Sequence, residues 1–425
     1  MSDTDHSTTT AVILAAGKGT RMKSERPKVL HEVYGLPMLR HVIDAAREAG
    51  ADRVVVVVGH GRDQVRDAIG DDDIAWAVQE PQLGTGHALQ VAREAVGDEA
   101  QTLLLLYGDV PLVRSEALRA LLEHHRGRAS RMTVLTTRVE NPTGYGRILR
   151  DADEIVGIRE ELDASAEERR IDEINTGIYA FEAPEIFGVV DALTPNETKG
   201  EVYLTDAVDS LRRSARVVTT FEDAEAGDYQ GVNSRADLAR CAERMHDRIL
   251  AAHMDAGVTI VDPRTTFIDV GVEIGADTVI HPCTVIRSGV RIGRKCEVGP
   301  FTHLRVRTDM ADGSEVGNFT EVKNSKIGEG SKAKHLTYLG DAVLGSSVNI
   351  GAGTITANYD GVKKSPTVIG DRSFVGSGTV FVAPVEMESG ATTGAGAVVV
   401  RDSRIAEGEV YAGVPAKKLK AKSRG

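Results

Sequence analysis

The chain has 425 residues, 41% hydrophobic and 27% charged, which at roughly 100–200 residues per domain predicts two or three domains. Lys plus Arg number 51 against 63 Asp plus Glu, and the net charge of −12 argues against nucleic acid as the main partner, because a phosphate backbone calls for a basic surface; small phosphate sites need only a few local cations and stay open. There is no apolar run of about 18 residues and no signal-peptide pattern in the polar start Met1–Thr10, so neither membrane insertion nor export is expected. Cys241, Cys283 and Cys296 form neither a disulfide framework nor a CxxC pair, as expected of reduced structural thiols in a cytoplasmic protein.

From residue 11 to about 232, short β-rich apolar runs alternate with amphipathic stretches. Val12–Ala15, Val54–Val58, Thr102–Tyr107 and Met132–Thr136 read as strands, and Met38–Glu48 and Ser115–His124 as helices. This alternation predicts an α/β, Rossmann-like domain with a mostly parallel sheet, and its ligand site should lie at the carboxyl ends of the strands. A long helix follows from Ser234 to about Ala256, capped by Asn233 or Ser234 and ended by Gly257. The expected organisation is therefore a first domain over 1–232, a linker helix over 233–257, and a second domain over 258–425.

In that last segment the period becomes six. Ile268, Ile274, Ile280, Ile286, Ile292, Val298, Leu304, Met310, Val316 and Val322 recur without a break, and the pattern resumes at Ile327, Leu344 and Ile369, running on to Ile405. Hexapeptide repeats of this kind wind a parallel β-helix, with each aliphatic residue pointing inward and three hexads making a triangular coil. Residues 262–410 then give roughly eight coils. The stretch Asn358–Pro366 (NYDGVKKSP) is too long for a corner and should protrude as a loop. Flat outer faces favour packing about a threefold axis, so a homotrimer is expected.

The run Val12-Ile-Leu-Ala-Ala-Gly17-Lys-Gly19-Thr-Arg21-Met passes from a strand into a glycine-rich loop. It is neither a P-loop nor a dinucleotide fingerprint. Arg21 and Lys28 supply cations, Pro27 stiffens the approach to Lys28, and Gly17 and Gly19 are free to take positive φ and turn backbone N–H groups toward phosphate oxygens. Such a cradle suits a nucleoside triphosphate and the charge that develops on a transferring phosphorus.

LAAGKGTRM with PKVL, then QLGTGHA, LLYGDVPL, PTGYGRI and EINTGIY, resemble the sugar-1-phosphate nucleotidyltransferases. Over nearly the whole chain the match is to the bifunctional bacterial enzymes that form UDP-N-acetylglucosamine for cell-envelope polysaccharide. The resemblance implies that Ala15, Ala16, Gly17, Lys18 and Arg21 hold the triphosphate, with Lys28 beside the reacting phosphate. It implies that Gln79, Gly84 and Thr85 read uracil, and that Tyr107, Gly146, Glu160, Asn175 and Thr205 meet the sugar. Asp109 and Asn233 would hold Mg²⁺, a sparse set that substrate phosphates and water complete. The family often has Lys two residues after the sugar-site Glu; Leu162 stands there in this chain, which removes a cation.

In the β-helix, VGNFTEVK, KAKHLTYLGD and NIGAGTITANYDG resemble the acetyltransferase half of the same family, implying acetyl-CoA as donor and glucosamine 1-phosphate as acceptor. Histidine exchanges its proton nearest neutral pH, so His335 suits the general-base role, with Glu321 as its implied orienting partner. Arg305 and Lys323 would clamp the sugar phosphate, and Tyr338, Asn349 and Lys364 the sugar. Asn358, Tyr359, Ser377 and Ala395 would face acetyl-CoA, in a cleft between neighbouring subunits. Ala412 replaces an Arg that the family can use on coenzyme A phosphates; Lys417, Lys418, Lys420 and Lys422 follow it, as a substitute or as a solvated tail. Two other readings stay open: a nucleotidyltransferase whose β-helix only assembles the oligomer, and a scaffold like the regulatory subunits of translation-factor exchange complexes. Lys18, Arg21, Lys28 and Asp109 speak against the latter.

Overall fold

The structure is a computed structural model that describes residues 8–196 and 200–419. It divides into two compact units, Met1–Arg244 and Met245–Gly425.

The first unit is built on one nine-stranded sheet. In chain order its elements are β1 Thr9–Ala15, α1 Met38–Glu48, β2 Arg53–Val58, α2 Arg62–Ile69, β3 Ile74–Val78, α3 Thr85–Val96 and β4 Thr102–Tyr107. They continue with α4 Ser115–Gly127, β5 Met132–Arg138, β6 Gly146–Asp151, β7 Glu154–Arg159, β8 Glu173–Glu182, α5 Ala183–Asp191, α6 Ala207–Arg213 and β9 Val218–Glu222. The main path runs β9-β5-β8-β4-β1-β2-β3, with β6 on β8 and β7 on β6. The central strands are apolar throughout because both faces are covered. Ile13, Val56 and Leu104 pack with Val42 of α1 and Leu121 of α4. The alternating Val12, Val55 and Leu105 pack with Leu89 of α3, Ile186 of α5 and Val208 of α6 on the other side.

The sheet is parallel from β4 through β1 and β2 to β3. β8 lies antiparallel between β4 and β5 and shifts register between Asn175 and Tyr179. Such a bulge re-aims side chains locally, and here it presents Asn175 to the cleft.

The helix α7 covers Arg235–Asp255, and the division between the units falls inside it. Ser234 and Asp237 close its start reciprocally: Ser234 N donates to Asp237 Oδ2 (2.8 Å) and Asp237 N to Ser234 Oγ (3.2 Å). Gly257, at φ +91, follows its end.

The second unit is a left-handed parallel β-helix of hexapeptide repeats. Among the described residues its three faces hold ten, eight and eight strands, stacked so that each strand pairs in parallel with the one a coil later, except that the final Lys417–Lys418 folds back antiparallel on Val410–Ala412. Every residue of the period-six series from Ile268 to Ile405 is buried except Ile274, which is partly so, and all the aliphatic ones pack in one continuous core. Thr356 and Thr393 take inward positions at no more than 1% exposure; Thr393 Oγ1 meets Thr379 Oγ1 at 3.0 Å, so its polarity is satisfied. The 358–366 segment leaves the coil as an ordered hairpin, with Tyr359 bridged to Lys364 and Val362 90% exposed at its tip.

Candidate active sites

In the first unit, β1 and β4 are neighbours, with Leu14 beside Tyr107, so the loops that follow them meet at the carboxyl edge. The loop after β1 bends at Gly19, which has φ +61; a Cβ there would stand 2.6 Å from Lys28 Cβ. Gly19 thus supplies both the left-handed turn and the room for Lys28. Gly17 is not left-handed and faces open space, so the positive φ expected at both glycines holds for Gly19 alone.

Lys28 Nζ donates to Asp109 Oδ2 and, at 3.1 Å, to Asn233 Oδ1. The two acceptors expected to share a cation do converge on one positive charge. A carboxylate and an amide oxygen facing one point fit a hard divalent ion whose remaining ligands come from phosphates and water. Lys18 and Arg21 are exposed and have no ion-pair partner among the described residues.

Three contiguous cavities share Tyr107. One of about 340 Å³ is lined by Ala15, Ala16, Gly17, Lys28, Gln79, Gly84, Thr85 and Asp109. Gln79 Nε2 donates to the Gly84 carbonyl (2.8 Å) and lies 3.3 Å from His87 Nδ1. A carbonyl only accepts, so the amide nitrogen is committed there and the Gln79 oxygen is left for a ligand N–H. A second cavity of about 360 Å³ is lined by Thr85, Tyr107, Glu160, Leu162, Asn175 and Thr205. Thr205 Oγ1 donates to Glu160 Oε1 (3.3 Å), Asn175 Nδ2 to Tyr179 Oη (2.6 Å), and Gly146 packs beside Glu160 and Asn175. Burial, then Glu160 and Asp109, raise the Tyr107 hydroxyl well above its ordinary pKa, so it stays a neutral donor. Leu162, 71% exposed, sits at this rim. The third, about 950 Å³, opens past Arg21, Asp109 and Asn233.

Several residues of this site escape a reading by motif. Gln82 donates to the Ala16 carbonyl and lines the nucleotide-side cavity, as do Glu201 and Tyr203. Val202 crosses the QLGTG turn, bonding Leu83 and Gly86, and a Cβ on Gly84 would meet its oxygen at 2.5 Å. Gly177, at φ +83, clears the Tyr107 ring in the same way. Only the glycines and Gln82 lie in motifs that draw the eye; the 201–203 segment carries no local signal.

In the second unit, Glu321–Lys323 and Tyr338–Gly340 are neighbouring strands on one face, with Glu321 beside Tyr338 and Lys323 beside Gly340. Lys323 is held below the usual lysine range chiefly by Lys364, then by Arg305, so three cations crowd one patch. Asn358 and Asn324 both donate to Asp341, which fixes the base of the hairpin. Asp360 accepts from Val362 N and Lys363 N and from Arg401 Nη2 (3.0 Å), which fixes its tip. Asp341 closes the KAKHLTYLGD motif without having been assigned a role there, and Arg401 lies outside the motifs read from the sequence.

His335 ends the strand Lys332–His335 and is exposed at a corner. Above it on successive coils stand Ala352–Gly353, Ser377 and Ala395: Gly353 N donates to His335 O, Gly378 N to Ala352 O and Gly396 N to Ser377 O. The expected Glu321–His335 pairing is not found among the described residues. Glu321 instead accepts from Arg305 Nη1 at 2.7 Å, because a guanidinium one coil below is its nearest strong donor. Asn349 lies on the first face, not on the second with Lys323 and Tyr338. Ala412 is opposite Lys417, while Lys418 is paired with Glu409; Lys420 and Lys422 lie outside the described residues.

Comparison with known proteins follows the same division. Residues 11–173 match the MobA-like NTP transferase domain and residues 271–305 the bacterial transferase hexapeptide (six repeats). The chain is 45% identical over 431 residues to the bifunctional protein GlmU of Syntrophotalea carbinolica, covering 93% of each chain. It is 44% identical over 427 residues to that of Heliobacterium modesticaldum, covering 92% of this chain and 93% of the relative. Among solved structures, a putative glucose-1-phosphate thymidylyltransferase from Bacillus anthracis is similar at 21% identity and a TM-score of 0.46, over 55% of this chain and 94% of that one.

Proposed function

As the chain belongs to the family of bifunctional GlmU proteins, we propose how its two units divide the work. The protein is a bifunctional transferase: it acetylates glucosamine 1-phosphate from acetyl-CoA, then joins N-acetylglucosamine 1-phosphate to the uridylyl group of UTP. The observation that carries the assignment of sites is a separate charged constellation in each unit: Lys28 between Asp109 and Asn233 in one, and Lys323 with Lys364 and Arg305 in the other.

Uridylyl transfer belongs to the first unit. The uracil enters the cavity of Gln79, Gly84 and Thr85, and the sugar that of Tyr107, Gly146, Glu160, Asn175 and Thr205. An oxygen of the sugar phosphate attacks the α-phosphorus, the bond to the β-phosphate breaks, and pyrophosphate leaves past Arg21. The attacking oxygen is already anionic, so positioning and charge do the work and no general base is required. Lys18, Arg21 and Lys28 offset the negative charge, and Ala15–Gly17 present the backbone to the phosphates. Mg²⁺ held by Asp109 and Asn233 would supply further charge neutralisation on the phosphates.

Acetyl transfer belongs to the second unit. Arg305, Lys323 and Lys364 hold the phosphate of glucosamine 1-phosphate as charge-assisted donors, with Tyr338 and Asn349 on the sugar. His335 takes a proton as the amine attacks the thioester carbon; the C–S bond breaks and the coenzyme A thiolate is reprotonated. Three coil steps at ~4.8 Å put the Ala395 corner about 14 Å from that of His335, a track for an extended acyl carrier past Ser377, with Asn358 and Tyr359 alongside. Glu321 orients His335 only if substrate phosphate draws Arg305 away.

The protein works in the cytoplasm as a homotrimer. Phe301 and Phe319 stack at 5.0 Å while 51% and 58% exposed, and Leu336 continues their ridge at 63%; a second copy would cover it and bring an Asn349 to the Lys323 face. The test is to assay pyrophosphate release from UTP and N-acetylglucosamine 1-phosphate, and thiol release from acetyl-CoA and glucosamine 1-phosphate, with and without a chelator. Chelation should stop only the first, Mg²⁺ should restore it, and light scattering should return three copies of the 45.5 kDa chain.

A further inference from the structure

His31 is a buried histidine, 5% exposed, that neither half-reaction uses. It sits one short turn after Lys28, and its backbone N–H donates to the Lys28 carbonyl at 3.2 Å. Its Nδ1 lies 3.2 Å from Arg235 Nη1. Arg235 opens α7 two residues after Asn233, in a segment pinned by Asp237. Burial first, then Arg235 and Arg26, lower the His31 pKa, which keeps the ring neutral with an Nδ1 lone pair for Arg235. Nε2, which then carries the proton, is buried with no partner among the described residues. An orphaned buried donor is a cost that ordinary packing would avoid, and it points to a side chain retained for what Nδ1 does.

The two chain segments are thus joined by two side-chain rungs, Lys28–Asn233 and His31–Arg235. The first lies at the phosphate site and must be surrendered when phosphates claim Lys28. The second lies away from the ligand and does not compete with it. We propose that the His31–Arg235 rung is a positioning brace for uridylyl transfer, holding Lys28 and Asn233 in register after their direct contact is broken. This rests on the assignment of that reaction to the first unit.

The brace predicts that His31→Leu lowers kcat for pyrophosphate release about 10- to 100-fold, the scale of an ångström-level misplacement. The KM for UTP and the calorimetric affinity for UTP should change much less, and thiol release not at all. Asparagine carries Oδ1 on Cγ, where histidine carries Nδ1, so His31→Asn should recover most of the loss. Arg235→Met should match His31→Leu, and the double variant should be no worse than either alone. Additive losses in the double variant, no recovery by His31→Asn, or equal falls in UTP affinity and kcat would overturn the brace. If the wild type itself releases no pyrophosphate, it is the assignment of the reaction that fails; the melting temperatures of the variants then decide the brace, which requires that the double variant lose no more than the worse single variant.

Discussion

Replacing Gly19 by alanine perturbs the uridylyl site at one point with a calculable displacement. The residue has φ +61, where an L side chain costs about 1–2 kcal/mol. The new Cβ would stand 2.6 Å from Lys28 Cβ, against the 3.4 Å of ordinary contact, so the two must separate by about 0.8 Å. Lys28 Cβ is next to the backbone and cannot swing aside, so the shift passes to the Lys28 ammonium between Asp109 and Asn233. A misplacement near an ångström costs on the order of 100-fold in rate. Gly19→Ala should therefore lose about that factor in kcat for pyrophosphate release and keep full thiol release from acetyl-CoA. Gly188→Ala, on α5 away from the site and with no atom within 4 Å of the new Cβ, is the control and should lose far less. Equal rates for both variants, or parallel loss of both half-reactions, would refute the reasoning.

Gln79→Leu should cut the preference for UTP over CTP at least 10-fold, since uracil offers an N3–H to the Gln79 oxygen and cytosine a lone pair; competition between the two nucleotides in one assay reads this, and an unchanged ratio removes Gln79 from base selection. Lys323→Met should raise the KM for glucosamine 1-phosphate roughly 10- to 100-fold by removing a charge-assisted contact, with no effect on pyrophosphate release; a change confined to kcat would contradict the phosphate clamp. Buried His125 has its pKa lowered to about 4 by burial first, then by Arg126. The unfolded chain then takes up this proton before the folded one, so stability is intact above about pH 6.5 and falls toward pH 4. From pH 7 to pH 5 the loss is about 2 kcal/mol; urea titrations should show it in the wild type, and an equal loss in His125→Asn would assign it elsewhere.

The β-helix was legible almost residue by residue, because a six-residue period is itself the geometry of the coil: the inward positions from Ile268 to Ile405 needed no knowledge of distant contacts. Strands such as Arg53–Val58 and the helix Met38–Glu48 were legible for the same reason. The antiparallel strand Glu173–Glu182 was not, since periodicity identifies a strand but not the neighbours it will pair with. The sites divide in the same way. Lys28, Asp109 and Asn233 were named from motifs, and their convergence on one point needed the fold. Glu201 and Tyr203 enter the nucleotide cavity only because Val202 crosses the QLGTG turn, a long-range contact with no local pattern. Glu321 was assigned to His335, and only the coil stacking reveals Arg305 as its partner.

The central claim is that one chain carries two chemically independent sites. The most direct measurement supplies glucosamine 1-phosphate, acetyl-CoA, UTP and Mg²⁺ to the wild type, Lys28→Ala and His335→Ala, and follows free thiol and pyrophosphate separately. The account predicts both products from the wild type, thiol alone from Lys28→Ala, and neither from His335→Ala until N-acetylglucosamine 1-phosphate is added, when pyrophosphate returns. Thiol that never appears, with pyrophosphate formed only from ready-made N-acetylglucosamine 1-phosphate, would reduce the β-helix to a scaffold and contradict the account.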